Sequence, residues 1–571
     1  MLVRAVQALL RGRQAVPLDA RGGGPHALAF SSALAFAPEV CILARLRTLT
    51  GWRADLAAAG LGVVTALALP PVTLAPALLI GLPGLVALLD GSRTWRVALR
   101  RGFVFGLAHH LAGLYWVTEA VLVEAAEFWW AIPLAVPALA SVLAAFIAVP
   151  CAVARAVPAG WRRVFVLAGC WVLGDLGRQF ALTGFPWNPL GSATEMPGLL
   201  GLVFMQPAAW VGVGGLTLCT VLLACTPALG KRAAIPALGA LAVWAALGAV
   251  LLARPPKAAP GLTAVIVQGN VSETEHRDHW RDPGWAAGIF ERYLRLTAQG
   301  MRQAKATQAP GMRDVVIWPE TASPYWLQQE DDARHAVAQA ASGAVASLVG
   351  SARQAVTPAG VTKDYNSLIV VMPDGRVGGY YDKHHLVPYG EYFPAYLPIR
   401  LGERGWDAGP GLKTLHIPGL PPIGPLICYE AAFPAQVAVE TDRPGFLVNI
   451  TNDSWFGTSA GPRQHLAAAR MRAVEEGLPL VRAANTGISA IIDAHGRLLQ
   501  VLGLDRQGVL TGPIPGPLPR TPASRMGLAA PALCAVLSLL AGLGLGTRRQ
   551  SVDSAPNFVQ NLVKSSSKAE S

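Results

Sequence analysis

Residues 424–430 read Gly-Pro-Leu-Ile-Cys-Tyr-Glu, an apolar run that ends in a thiol and passes at once to an acid. Short β-type runs of the same kind recur from about 260 to 520: LTAVIVQG, DVVIWPE, ASLVGSA, NSLIVVM, GFLVNITND, LPLVRAAN and SAIIDAHG. Longer stretches of helical character at 283–305, 330–342 and 462–477 separate some of them. This alternation predicts an α/β layered domain with a mixed sheet. Several runs close on a polar or reactive side chain, namely Glu320, Cys428, Asn452 and Asp453, and loops beyond strand ends are where sites are commonly assembled.

Outside this region the composition changes. The 571 residues are 52% hydrophobic and 14% charged, with a mean hydropathy of +0.40, which marks a membrane protein. Seven candidate spans lie at 54–70, 72–89, 102–123, 128–150, 162–182, 198–226 and 233–253, and an eighth at 525–545. Most approach the ~20 residues needed to cross a bilayer core. The expected organisation is an N-terminal extension (1–50), a membrane domain of seven transmembrane helices (51–258), a soluble domain (259–519), a closing helix (520–547) and a polar, disordered tail (548–571).

The net charge of +12 follows topology rather than a nucleic-acid surface. Arg93, Arg96, Arg100 and Arg101 lie between the second and third spans, Arg155, Arg162 and Arg163 between the fourth and fifth, and Lys231 and Arg232 between the sixth and seventh. The alternate connections PPVT, TEAVLVEAAEF and GFPWNPLGSATEMPG contain neither Lys nor Arg. Because basic loops stay cytoplasmic, the seventh span delivers the soluble domain to the outer face and the eighth returns inside.

Cys41, Cys151, Cys170, Cys219, Cys225 and Cys534 fall in the extension or in or beside the predicted spans, so Cys428 is the sole thiol of its domain. A lone thiol there is either a buried small hydrophobe or a nucleophile. A nucleophilic cysteine needs a base and an oxyanion stabiliser. Glu320, flanked by Trp318, Pro319 and Trp326, is a candidate base, and Lys383 in YYDKHHLVPYGEYFP a candidate cation. Each alone is more simply a surface charge. His384 and His385 have no carboxylate or thiol at metal-ligand spacing and are expected to serve structural hydrogen bonds.

Taken together, WPE, YDKHHLVPYGE and ICYE, followed by NITNDSWFG and RAANTGISAIID, resemble the signature segments of the nitrilase superfamily over about 260–515. The resemblance implies an αββα sandwich with Glu320 as general base, Lys383 as oxyanion stabiliser and Cys428 as nucleophile. It further implies supporting roles for the Tyr429 backbone N–H, Glu391 and Glu430. Seven spans, a nitrilase-like domain and a closing span are similar to the layout of the apolipoprotein N-acyltransferase family, as are LTGFPWNPLG and VGVGGLTL.

That likeness implies acyl transfer from the sn-1 position of a phospholipid, through a Cys428 thioester, to the α-amine of a diacylglyceryl-cysteine apolipoprotein. It implies the bacterial inner membrane and no metal or organic cofactor. Trp187, Trp280, Trp326 and Trp455 are carried over as substrate-contacting candidates. Asp175 and Arg178 stand where relatives often place a Glu-x-x-Arg pair, and their i,i+3 spacing allows an ion pair. Two readings compete: a membrane-tethered amidase with water as acceptor, and a scaffold whose nitrilase-like domain no longer catalyses.

Overall fold

The computed structural model describes residues 37–123, 125–275, 282–394 and 405–544. Trp280, residues 1–36 of the expected extension and the 548–571 tail lie outside them. Two compact units divide the chain, Met1–Arg45 and Leu46–Ser571. The first contributes only the start of the helix Ala37–Thr48, and everything below concerns the second.

In the soluble domain the apolar runs become strands. A six-stranded sheet has the order β11-β1-β2-β3-β4-β5, and a five-stranded sheet the order β10-β9-β8-β7-β6. The first contains β1 (Leu262–Gln268), β2 (Arg313–Ile317), β3 (Ala344–Val356), β4 (Thr362–Val371), β5 (Val377–Asp382) and β11 (Gly508–Pro513). The second contains β6 (Ile423–Ile427), β7 (Phe446–Thr451), β8 (Leu480–Ala484), β9 (Ser489–Ile492) and β10 (Leu498–Leu502). β1, β2 and β3 are parallel, as are β6, β7 and β8, and the remaining pairings are antiparallel.

Alternate residues of each strand face opposite sides. Ala264, Ile266, Val315, Ile317 and Leu368 of one sheet meet Ile427, Val448, Ile450 and Val481 of the other in a shared core. Their neighbours Val265, Val316 and Ile369 point outward under the helix Pro283–Thr307. Leu426, Leu447 and Leu480 lie under the helix Gly461–Glu476. Both faces of each central strand are thus buried, which is why these strands read as unbroken apolar runs. The result is the αββα sandwich.

Helices occupy all eight segments predicted to span a membrane, with corrections to length and continuity. By length and apolar composition alone, two helices of the described residues suffice to cross, Trp129–Arg155 and Lys231–Leu252. The others are shorter or more polar. The helix Gly51–Ala66 has 16 residues, a rise of about 24 Å.

The third segment begins earlier than its apolar run suggests. The helix is Trp95–Gly113, capped by Thr94, and it includes Arg100 and Arg101. Arg101 is accommodated because its guanidinium donates to the Leu88 and Leu49 carbonyls and to Ser92 Oγ. The sixth segment is two helices, Gly198–Met205 and Ala208–Ala224, meeting at 99°. Pro207 stands at the break, and Gly212 carries a non-helical φ of 65° inside the second piece. The kink frees the Val213 N–H, which donates to Glu475 Oε1 of the sandwich at 2.6 Å.

The bundle and the sandwich share two apolar clusters. Leu114, Trp116, Leu143 and Trp187 pack against Tyr429, Ala432, Phe433 and Ala460. Met205, Ala208, Val213 and Leu216 pack against Met471 and Val474. The first of these clusters brings the bundle directly against the turn that follows β6.

Candidate active site

Three strand ends converge. Beyond β2 the chain places Trp318 in the core, its indole N–H donating to Thr297 Oγ1 at 2.9 Å. Glu320 follows, 5% exposed. Its Oε1 accepts from Lys383 Nζ at 2.9 Å and Asn366 Nδ2 at 2.8 Å, and its Oε2 from the Asn452 backbone N–H at 2.8 Å. Gly350 of β3 backs this loop so closely that a Cβ there would overlap Pro319 O and Glu320 Cα.

Lys383 begins where β5 ends and is 1% exposed. Its backbone N–H donates to Asn366 O at 2.9 Å, and the preceding Asp382 is fixed by Arg353 at 2.6 Å. Besides Glu320, Nζ donates to Glu391 Oε1 at 2.8 Å. Glu391 Oε2 in turn accepts from the Val387 N–H at 2.7 Å, closing the 383–391 loop upon itself. Burial alone would lower the lysine pKa, but Glu320 and Glu391 together hold it well above the usual range. Lys383 is therefore an ammonium throughout the working pH range.

Cys428 follows β6 with φ +51°, a left-handed conformation that costs a non-glycine residue on the order of 1–3 kcal/mol. Two networks hold the turn. Glu430 Oε2 accepts from the Ile427 N–H at 2.7 Å, while its Oε1 accepts from the His384 N–H at 2.8 Å and Tyr381 Oη at 2.9 Å. On the other side, His465 Nε2 lies 2.9 Å from Cys428 O and its Nδ1 2.8 Å from Asp453 Oδ1. Burial opposes ionisation of Asp453, yet Arg482, with Nη2 at 2.7 Å, and His465 bring it down to about 2. Burial, then the Glu320 charge, pushes the Cys428 thiol well up, with Lys383 opposing.

The resting cluster thus holds one ammonium against two carboxylates, and a free thiolate would add a second excess negative charge. A neutral thiol that loses its proton only as it attacks fits this electrostatics. Among the described residues no group of three or more His, Cys, Asp or Glu side chains is arranged to hold a metal.

Glu320, Lys383 and Glu391 are brought into direct contact, and Glu430 braces the Cys428 turn. The Tyr429 phenol donates to Gly184 O of the bundle at 2.9 Å. Trp187 is buried with its ring stacked on Tyr429 at 6.2 Å. Trp326 and Trp455 are half-buried on strand-end loops. Arg178 Nε lies 3.2 Å from Asp175 Oδ1, the ion pair that the spacing allows. His384 and His385 serve packing and hydrogen bonds, His385 stacking on Phe433 at 3.9 Å.

Sequence reasoning missed Asn366, whose amide bridges Glu320 and Glu391 at 2.8 and 3.0 Å, and His465 with its neighbour Gln464. The signal for Asn366 is one amide at the head of the apolar run NSLIVV, and for Gln464 and His465 two polar residues in a helix buried on nearly every side.

The profile "Apolipoprotein N-acyltransferase N-terminal domain" matches residues 61–226, and "Carbon-nitrogen hydrolase" matches residues 285–518. An apolipoprotein N-acyltransferase of Rhodopseudomonas palustris is 37% identical over 523 residues, 86% of this chain and 95% of that one. Another, of Bradyrhizobium diazoefficiens, is 38% identical over 522 residues, 86% and 94% of the two chains. Among solved structures, a Saccharomyces cerevisiae member of the nitrilase superfamily aligns with a TM-score of 0.33 and 17% identity, covering 44% of this chain and 90% of its own.

Proposed function

The chain belongs to the apolipoprotein N-acyltransferase family, and from that premise we propose how its residues carry out the acyl transfer that completes lipoprotein maturation. It is an acyltransferase of a membrane-embedded nitrilase-like fold, acting on lipid and lipoprotein substrates.

In the first half-reaction Cys428 Sγ attacks the sn-1 ester carbonyl of a phospholipid while Glu320 takes its proton. The tetrahedral oxyanion is stabilised by the Lys383 ammonium and the Tyr429 backbone N–H. The C–O bond then breaks, Glu320 returns the proton to the departing lysophospholipid hydroxyl, and an acyl thioester remains on Cys428. In the second half-reaction the α-amine of a diacylglyceryl-cysteine gives its proton to Glu320 and attacks the thioester. The C–N bond forms, the C–S bond breaks, and the proton returns to Sγ. Glu391 has a definite task here: when Glu320 is neutral, Glu391 remains as the counter-ion of Lys383, so the buried ammonium is never unpaired.

The site lies against a membrane bundle because both substrates carry two acyl chains. Withdrawing such chains from a bilayer costs about 0.8 kcal/mol per CH₂. The inner-membrane topology, with the sandwich on the outer face, is supported by the basic alternate loops and by a repeated pairing. Arg53 lies over Trp52, Arg96 over Trp95 and Arg162 over Trp161, each at the start of the first, third or fifth helix. Exposed Trp–Arg pairs suit one membrane–water boundary.

The observation that carries this reading is the doubly paired Lys383 beside Glu320 at the strand ends that also present Cys428. In proteoliposomes supplied with a diacylglyceryl lipopeptide, lysophospholipid and N-acylated peptide should form together. Without acceptor, an acyl adduct should be found by mass on Cys428. Cys428→Ala should insert normally and form neither product. Release of free fatty acid alone would favour the hydrolase, and unchanged acylation by Cys428→Ala would remove the thioester route.

A further inference from the structure

Gln464 lies on the first turns of the helix Gly461–Glu476 and is 4% exposed. Its Oε1 accepts from the indole N–H groups of Trp116 at 2.9 Å and Trp187 at 2.8 Å. Its Nε2 donates to the carbonyls of Pro70 and Gly113, both at 3.0 Å. One amide therefore uses both donors and two acceptor sites, and all four partners belong to the bundle.

The partners are not scattered along the chain. Pro70 follows the helix Gly51–Ala66, Gly113 ends the helix Trp95–Gly113 and Trp116 follows it, and Trp187 follows the helix Trp161–Arg178. These are the same three helices that start on Trp–Arg pairs, so Gln464 gathers the far ends of the first, third and fifth helices at one point. The next residue, His465, contacts the carbonyl of Cys428. Trp187, oriented by Gln464, stacks on Tyr429, which follows the nucleophile.

We infer that Gln464 is a positioning residue that aligns the outer ends of three bundle helices with the Cys428 turn, so that the ester of a bilayer-held donor meets the thiol. The hydrogen bonds of Gln464 go to none of Glu320, Lys383 or Cys428, so a small water-soluble ester, which needs those groups and the Tyr429 N–H but no bilayer-held donor, does not depend on this alignment. The inference rests on the acyl-transfer reading above. Wild-type turnover of phospholipid tests that reading, and the ratio between donors in the variants tests this one.

Gln464→Glu keeps the shape but turns a carboxylate oxygen toward two carbonyls. Protonation restores a donor, and burial among carbonyls raises the pH at which it occurs. At about pH 8 the variant should lose on the order of 10-fold or more in phospholipid kcat/KM. Acylation of Cys428 by a short-chain p-nitrophenyl ester should stay within about 3-fold of wild type. The phospholipid defect relative to wild type should shrink as the pH is lowered to about 6. Equal losses on both donors without recovery at low pH, or no loss on either, would overturn the inference. Should Gln464→Glu fail to accumulate in membranes, Trp116→Phe removes one of the four bonds. A donor-selective loss of about 2- to 5-fold supports the inference and a donor-independent one overturns it.

Discussion

At the scale of single residues, the chemistry turns on charge count. Lys383 sits between Glu320 and Glu391, and that arrangement keeps it cationic although it is fully enclosed. Lys383→Met should leave two carboxylates facing each other with no cation between them and no charge for the oxyanion. Formation of lysophospholipid in a single turnover should fall by about 10²–10³, with membrane insertion retained; a loss below about 10-fold would remove Lys383 from the oxyanion site. Glu320, Lys383 and Cys428 were legible as candidates in the sequence because WPE, YDKHHLVPYGE and ICYE occur together and in order, although each residue alone reads as ordinary. Asn366 and His465 were not, because an asparagine at a strand start or a histidine in a helix is ordinary until its partners are known. Those partners lie 46 residues from Asn366, at Glu320, and 37 residues from His465, at Cys428.

Among the elements, the site depends on how closely backbones approach. Gly350 on β3 leaves room for the Pro319–Glu320 loop and has no strained φ of its own, so its requirement is spatial rather than conformational. Gly350→Ala should push that loop away from β3. Phospholipid acylation should drop by about 10-fold or more, and stability by about 1–3 kcal/mol, read as a lower thermal midpoint in detergent. Wild-type values for both would show that the loop relaxes without moving Glu320. The strands were legible here, since double burial gives continuous apolar runs. The break at Pro207 and the kink at Gly212 were less so, because the apolar composition continues through both. A bend in a buried segment becomes tolerable only when another part of the fold takes up the freed N–H, and Glu475 does so for Val213.

Over the whole molecule, the seam between bundle and sandwich contains a titrating group. Glu195, in the loop after the fifth predicted span, is buried with Arg470 Nη1 as far as 3.8 Å away. Burial pushes its carboxyl up to about 8, against the opposing pull of Arg470 and Arg472. In the unfolded chain it ionises near the usual glutamate value, while the folded chain keeps the proton until about 8. Between those values the folded state binds more protons, so this contribution to stability is complete below the lower pKa and is lost as pH rises through the upper one. Wild-type thermal midpoints in detergent should therefore fall from about pH 5.5 to about pH 8.5, and Glu195→Gln should flatten part of that slope. Identical slopes would show that Glu195 does not titrate in this window. The sequence by itself determined the strand runs, the apolar helices, the basic alternation of loops and, through their joint context, the candidates Glu320, Lys383 and Cys428. Each is a local pattern of polarity along neighbouring residues, set by which faces must leave water. Only the tertiary structure decided that Asn366 joins two carboxylates, that His465 braces the Cys428 turn, and that Gln464 gathers the ends of three helices. Hydrogen bonds between residues tens to hundreds of positions apart impose no period on the chain, so they become visible only when folding brings donor and acceptor within reach.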